Sequence, residues 1–284
     1  MHIRNPMEWV FGQFAGKSPI TTATVEEYWP EQRLNPPQVR RISRADVGEA
    51  LRRGWDDFSA ARTDVLFFCL IYPVLALFIT AADAWGNILP LLFPTASGFA
   101  LVGPFFAVGL YEMSRQRERN GSIRWLDSFN VLRSPSIGAI AALGLGLIAL
   151  FLAWLGVARV IYDATLGPLP PTSVLGFVQS VFTTGAGLTM IGLGVLAGGV
   201  FAVGVLVISV ISFPLLLDRP VGLRTAIATS VAAVRQNPGP LGLWGVLVAT
   251  GLVLGSLPCF IGLIVILPVL GHASWHLYRR IVQG

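Results

Sequence analysis

Charge is scarce in this sequence. Only 12% of its 284 residues are charged, against roughly a quarter in a soluble domain. With 54% hydrophobic residues and a mean hydropathy of +0.69, that shortage excludes an ordinary water-soluble domain. Histidines number three and cysteines two, which leaves little material for a metal centre or a disulfide framework. Cys69 falls toward the cytoplasmic end of an expected span and Cys259 at an outer turn, so a bridge between them would have to cross the bilayer. There is no Walker loop and no HExxH, and Gly185-x-Gly187 runs into apolar sequence without the setting of a dinucleotide site. Ionisable groups at membrane depth mark pumps and charge-lined channels. Here they collect at the ends of the apolar runs instead.

Those apolar runs are continuous rather than alternating, which points to helices and away from a barrel. A spanning helix needs about 20 mostly apolar residues. Six segments qualify, at 65–84, 88–113, 137–160, 189–217, 239–257 and 259–278. The arginines then suggest an orientation. Nine basic residues precede residue 65. Arg115, Arg117, Arg119, Arg124 and Arg133 lie between the second and third spans; Arg219, Arg224 and Arg235 lie between the fourth and fifth; Arg279 and Arg280 follow the sixth. Arg159 alone falls on the other side. By the positive-inside rule both termini are expected in the cytoplasm of a bacterial inner membrane. The net charge of +5 therefore reads as a topology signal, with anionic lipid headgroups as its partners. Nucleic acid is not expected as a partner, because the arginines form no continuous patch. Residues 1–62 are polar and contain no apolar core of signal-peptide length.

One pattern occurs twice, 164 residues apart. Pro94, Gly98, Pro104, Tyr111, Glu112 and Arg115 correspond in spacing to Pro258, Gly262, Pro268, Trp275, His276 and Arg279. A second motif precedes each hairpin: Asp56-Asp57-Phe58 with Arg62, Asp127-Ser128-Phe129 with Arg133, and Thr229-Ser230-Val231 with Arg235. Each closes a short amphipathic stretch. In 46–62, Val47, Ala50, Leu51, Gly54, Trp55 and Phe58 follow helical spacing, with Arg52, Arg53, Asp56 and Asp57 on other faces, as in a helix lying in the headgroup plane. The expected fold is thus all-α and integral to the membrane. Its six transmembrane helices form three repeated units, each an in-plane amphipathic helix plus a helical hairpin. Residues 1–42 read as an extended or partly ordered cytoplasmic tail, and 43–284 as the membrane domain. The outer segment 161–188 should carry a short helix over 173–184. Prolines inside the second and sixth spans should kink them, and Gly194 with Gly198, and Gly251 with Gly255, allow close helix approach.

His272 and His276 are the residues with most chemical weight. At i and i+4 they share a helix face, a spacing that can present imidazoles to a metal or a haem iron. Glu112, the repeat counterpart of His276, is the third candidate; it also lies three residues before Arg115 and can pair with it. Two histidines do not complete a site, so no cofactor is expected. Three readings stay open: interfacial residues bonded to water, backbone or Glu112; a haem or metal site; and a pH sensor.

Three blocks carry a family resemblance. They are Leu51-Arg52-Arg53-Gly54-Trp55-Asp56-Asp57-Phe58, the stretch from Gly103-Pro104 to Arg115, and the stretch from Leu267-Pro268 through His272, Trp275 and His276 to Arg279. Over about 43–281 the chain resembles a family of prokaryotic integral membrane proteins with a domain of unknown function. Members are sometimes labelled cytochrome c oxidase subunit I. That label implies haem-copper chemistry, whose catalytic subunit resembles a twelve-helix bundle with at least six histidine ligands on several helices; one helical pair does not supply them. The expectation is a non-enzymatic accessory or scaffold subunit of a membrane complex, possible association with a respiratory system included, with another membrane protein or self-association as partner. The alternatives are a carrier or gate for a lipid or small apolar solute, and a haem- or metal-binding membrane protein.

Overall fold

The computed structural model describes residues 37–61, 89–167, 171, 173–258 and 261–283. The expected span 65–84, Cys69, Cys259, His2 and most of the tail 1–42 lie outside these residues. Ser43 caps α1 (Arg44–Ala60). Its hydroxyl accepts from the Asp46 amide at 3.3 Å, and the Asp46 carboxylate accepts from the Ser43 amide at 2.9 Å. The two thus satisfy each other's unpaired donors at the helix start. α2 (Leu92–Phe106) and α3 (Val108–Asn120) follow. They are separated at Ala107, three residues after Pro104, which has no amide hydrogen for the Ala100 carbonyl. Gly121, at φ +69°, ends α3 in the left-handed conformation that glycine adopts without steric cost.

A 3-10 helix (Trp125–Arg133) leads to α4 (Ile137–Thr165), then α5 (Val174–Thr183), α6 (Gly185–Ser209) and α7 (Ser212–Asp218). α8 (Leu223–Gln236), α9 (Pro238–Ser256) and α10 (Leu263–Ile281) are the remaining α-helices among the described residues. Two short strands, β1 (Gln38–Val39) and β2 (Val282–Gln283), pair antiparallel, with Gln38 opposite Gln283. Beside them the Asn237 side chain accepts from the Ile42 amide at 2.7 Å and donates to the Arg40 carbonyl at 3.0 Å.

Among the described residues, four helical runs are long and apolar enough to cross a membrane: Phe93–Asn120, Ile137–Thr165, Gly185–Asp218 and Pro238–Ser256. The run expected at 259–278 is α10, which is not one of them. Its second half carries His272, Ser274, His276, Arg279 and Arg280 and is largely buried. The described residues therefore support four of the six expected spans. Pro268 sits inside α10 without dividing it, whereas its counterpart Pro104 is followed by the break at Ala107. Of the three expected in-plane stretches, two are α-helices, α1 and α8, and the middle one is the 3-10 helix.

The chain divides into two compact units, Met1–Leu70, Pro104–Leu145 and Leu206–Gly284 in one, Ile71–Gly103 and Gly146–Val205 in the other. In the first, α1 lies against α10 at Gly54, where an added Cβ would stand 2.6 Å from the Ala273 amide nitrogen and 2.7 Å from the Val269 carbonyl oxygen. α7 is buried throughout. The break between α6 and α7 is held by Ser230, which donates to the Val207 carbonyl at 2.8 Å and accepts from the Ile211 amide at 3.3 Å. Polar backbone freed at a helix break must find such partners. In the second unit, the Trp154 indole donates to the Pro94 carbonyl at 2.9 Å, and Gly98 and Gly198 leave room for its ring. The α6 residues Val195, Leu196, Val200 and Val203 are exposed, as lipid-facing positions of a span would be.

Candidate functional site

The first unit contains a buried polar knot built from α1, α3, α7 and α10. Asp57 is its centre. It falls on the inner face of α1 with Val47, Ala50, Gly54 and Phe58, and is 4% exposed. This corrects the helical reading in two places. Asp57 faces inward rather than outward, and Trp55, assigned to the apolar face, is 52% exposed.

Three side chains converge on the Asp57 carboxylate. Arg117 donates to Oδ1 at 2.6 Å, Ser114 donates to Oδ2 at 2.5 Å, and His276 Nε2 stands 2.8 Å from Oδ2. Ser114 Oγ is also 2.8 Å from His272 Nδ1. The i, i+4 spacing of the two histidines thus turns both imidazoles toward the same carboxylate–hydroxyl pair. Burial pushes the Asp57 carboxyl up, but the bonds from His276 and Ser114 and the nearby imidazoles outweigh it and hold the group below its ordinary value.

The knot continues through Glu118, whose carboxylate is 3.7 Å from His276 Nδ1 and 3.3 Å from Arg279 Nε. Arg279 is in turn 3.5 Å from Asp218, at the end of α7. Asp218 also accepts from the Tyr278 hydroxyl at 2.7 Å and lies 3.8 Å from Arg115 Nε. Arg115 donates to Glu112 at 2.9 Å, and Gln116 donates to the other Glu112 oxygen at 2.5 Å. Glu112 is thus engaged within its own helix, as the i, i+3 spacing with Arg115 suggests, while the bond to His276 comes from Asp57.

The repeat positions divide accordingly. Tyr111, Glu112, Arg115, Trp275 and His276 are all buried, whereas the Arg279 side chain is 43% exposed. Gly98 faces Phe151 and Trp154, and Gly262 faces the Gly255 backbone, so matched positions serve different contacts. Spacing alone does not mark Asp57, Ser114, Arg117 or Asp218 for chemistry. The signal for Asp57 was its register, three residues after Gly54 on the inward stripe.

Among the described residues, no group of three His, Cys, Asp or Glu side chains is arranged to hold a metal ion. His272 Nδ1 and His276 Nε2 are directed at Ser114 and Asp57, while His272 Nε2 and His276 Nδ1 are buried without a hydrogen-bond partner. What the arrangement does chemically is neutralise buried charge. Asp57, Asp218 and Glu118 meet cations or hydroxyl donors from other helices, while Glu112 is paired within its own, and such cross-helix bonds favour one packing of those helices.

No curated protein and no solved structure matches the chain. Residues 92–218, which include the block from Gly103 to Arg115, match the model of a family described as predicted integral membrane protein (DUF2189), a domain of unknown function, and it is to this membrane family that the chain is similar.

Proposed function

We propose that this integral membrane protein is a non-enzymatic accessory or scaffold subunit of a larger assembly in the bacterial inner membrane, with a respiratory complex as the first partner to test. The observation that carries the reading is the Asp57 knot. Its carboxylate, hydroxyl and imidazole groups are bonded to one another across α1, α3 and α10 and buried, which suits a rigid frame better than a site open to substrate. The exposed apolar residues of α4 and α6, Leu152 and Val160 on one and Val195 and Leu196 on the other, offer surface to lipid or to a neighbouring span. Purification of tagged protein from native membranes in mild detergent, with mass spectrometry of what accompanies it, tests this. A stoichiometric companion supports the reading. A monodisperse monomer with no companion overturns it.

The distribution of arginines supports cytoplasmic placement of both termini. Reporter fusions at either end check it: a fluorescent protein should mature there, and alkaline phosphatase should stay inactive.

A second reading is a carrier or gate for a lipid or small apolar solute. The interruption at Ala107 after Pro104 favours it, since broken spans recur where membrane proteins move. Unchanged lipid and solute distribution in a deletion strain counts against it.

A further inference from the structure

The 3-10 helix Trp125–Arg133 carries an exposed hydrophobic row, in which the Phe129 ring also meets Trp125 at 5.9 Å. A 3-10 helix has three residues per turn, so side chains at i, i+3 and i+6 eclipse. Leu126, Phe129 and Leu132 occupy that row and are 53%, 48% and 68% exposed. The opposite side holds Ser128 and Val131, both buried, and Ser128 packs where Gly109 of α3 has no side chain. The element is therefore held to the protein by one side and shows a straight apolar edge on the other.

What covers this edge follows from where the chain goes next. Three residues separate Arg133 from α4, one of the four helices able to cross a membrane. Three extended residues reach about 11 Å at most. The link is also tightly bonded, with the Ser134 amide donating to the Val131 carbonyl at 3.0 Å, the Ile137 amide to the Ser134 carbonyl at 3.0 Å, and the Ser136 amide to the Ser134 hydroxyl at 3.2 Å. The headgroup layer is about 5–8 Å thick on each side of the hydrocarbon. An apolar edge tethered this closely to the point where α4 enters the bilayer lies within reach of the interface. Exposed Arg124 and Arg133 bracket the row, so positive charge stands where lipid phosphates would be.

We propose that Leu126, Phe129 and Leu132 insert as a keel into the headgroup–acyl boundary of the membrane from which α4 departs, with Arg124 and Arg133 taking anionic lipid phosphates. The keel anchors α3 and α4 to the surface of one leaflet, whatever complex the protein serves.

The test uses full-length protein with both native cysteines replaced by serine, reconstituted in nanodiscs of phosphatidylcholine with or without phosphatidylglycerol. An environment-sensitive fluorophore is attached at Leu132→Cys, at Leu126→Cys, or at Asn130→Cys as a control off the row. The expected result at 132 and 126 is a blue-shifted emission, quenching by lipid-borne nitroxide and loss of quenching by iodide, with the reverse at 130. Adding phosphatidylglycerol should deepen the shift, and the pair Arg124→Gln with Arg133→Gln should abolish that deepening. Iodide access at 126 and 132 without nitroxide quenching overturns the proposal and leaves the row as a docking edge for protein. Shielding from both quenchers overturns it in favour of contact with a second copy. A shift indifferent to phosphatidylglycerol overturns the assignment of the arginines.

Discussion

Asp57 accepts three hydrogen bonds from two helices, and its removal leaves the buried Ser114 and His276 without that acceptor and Arg117, one-third exposed, without its carboxylate. Leaving a buried donor unsatisfied costs about 1–3 kcal/mol. Asp57→Ala should therefore lower the melting temperature of detergent-solubilised protein sharply, and Asp57→Asn somewhat less. His276→Ala combined with Asp57→Ala should cost less than the sum of the two single changes, since both remove the same bond. The pH dependence follows from the lowered Asp57 value. A carboxyl held lower in the folded than in the unfolded chain stabilises the fold fully above its unfolded value near 3.8. That contribution fades as pH falls through the folded value. Melting recorded from pH 6 downward should thus show a drop beginning near pH 4 that Asp57→Asn flattens. Gly54 is the other sensitive residue. Its Cβ would strike backbone atoms of α10, which cannot rotate away, so Gly54→Ala should cost about 1–3 kcal/mol through displacement of α1.

Among elements, the interruptions are the informative places. α6 and α7 form one apolar run that breaks at Val210 and Ile211, and a hydroxyl from α8 bridges the break. Ser230→Ala leaves a buried carbonyl and a buried amide without that hydroxyl, an omission of about 1–3 kcal/mol. The variant should exchange amide hydrogen faster around 207–212 while leaving α9 unchanged, which hydrogen-exchange mass spectrometry reads directly. Such contacts also mark the limit of what the sequence discloses. Long apolar runs and the caps at Ser43 and Gly121 are local signals, and the helices Arg44–Ala60, Val174–Thr183 and Pro238–Ser256 lie where those signals point. The 3-10 form of 125–133 had no such signal, because its three-residue period and the α-helical period both place apolar residues at i and i+3. The knot was legible only in fragments. His272, His276 and the Glu112–Arg115 pair were visible from spacing, but their meeting with Asp57 and Asp218 depends on contacts spanning up to 219 residues. No local pattern encodes a partner that distant.

At the scale of the whole molecule, the repeat and the arrangement of charges make different demands. The repeated prolines and glycines recur at matching intervals, yet Arg115 is buried against Glu112 and Asp218 while Arg279 is half-exposed beside Glu118 and Asp218. Exchanging the two halves of the pattern would therefore not conserve the knot. Swapping Tyr111-Glu112 with Trp275-His276 should prevent accumulation of folded protein in membranes, measurable by size-exclusion of a fluorescent fusion.

The closure of β1 on β2 concerns the order in which the protein is made. Gln38 pairs with Gln283, Arg40 donates to the Ile281 carbonyl, and Asp57 waits for His276. These partners of α1 and β1 leave the ribosome after every spanning run in the described residues has been synthesised. Until they emerge α1 lacks the α10 side of its burial, and residues 276–283 act as the latch that completes it. Arrested nascent chains that stop before residue 272 should leave α1 open to protease, and chains that extend past residue 283 should protect it.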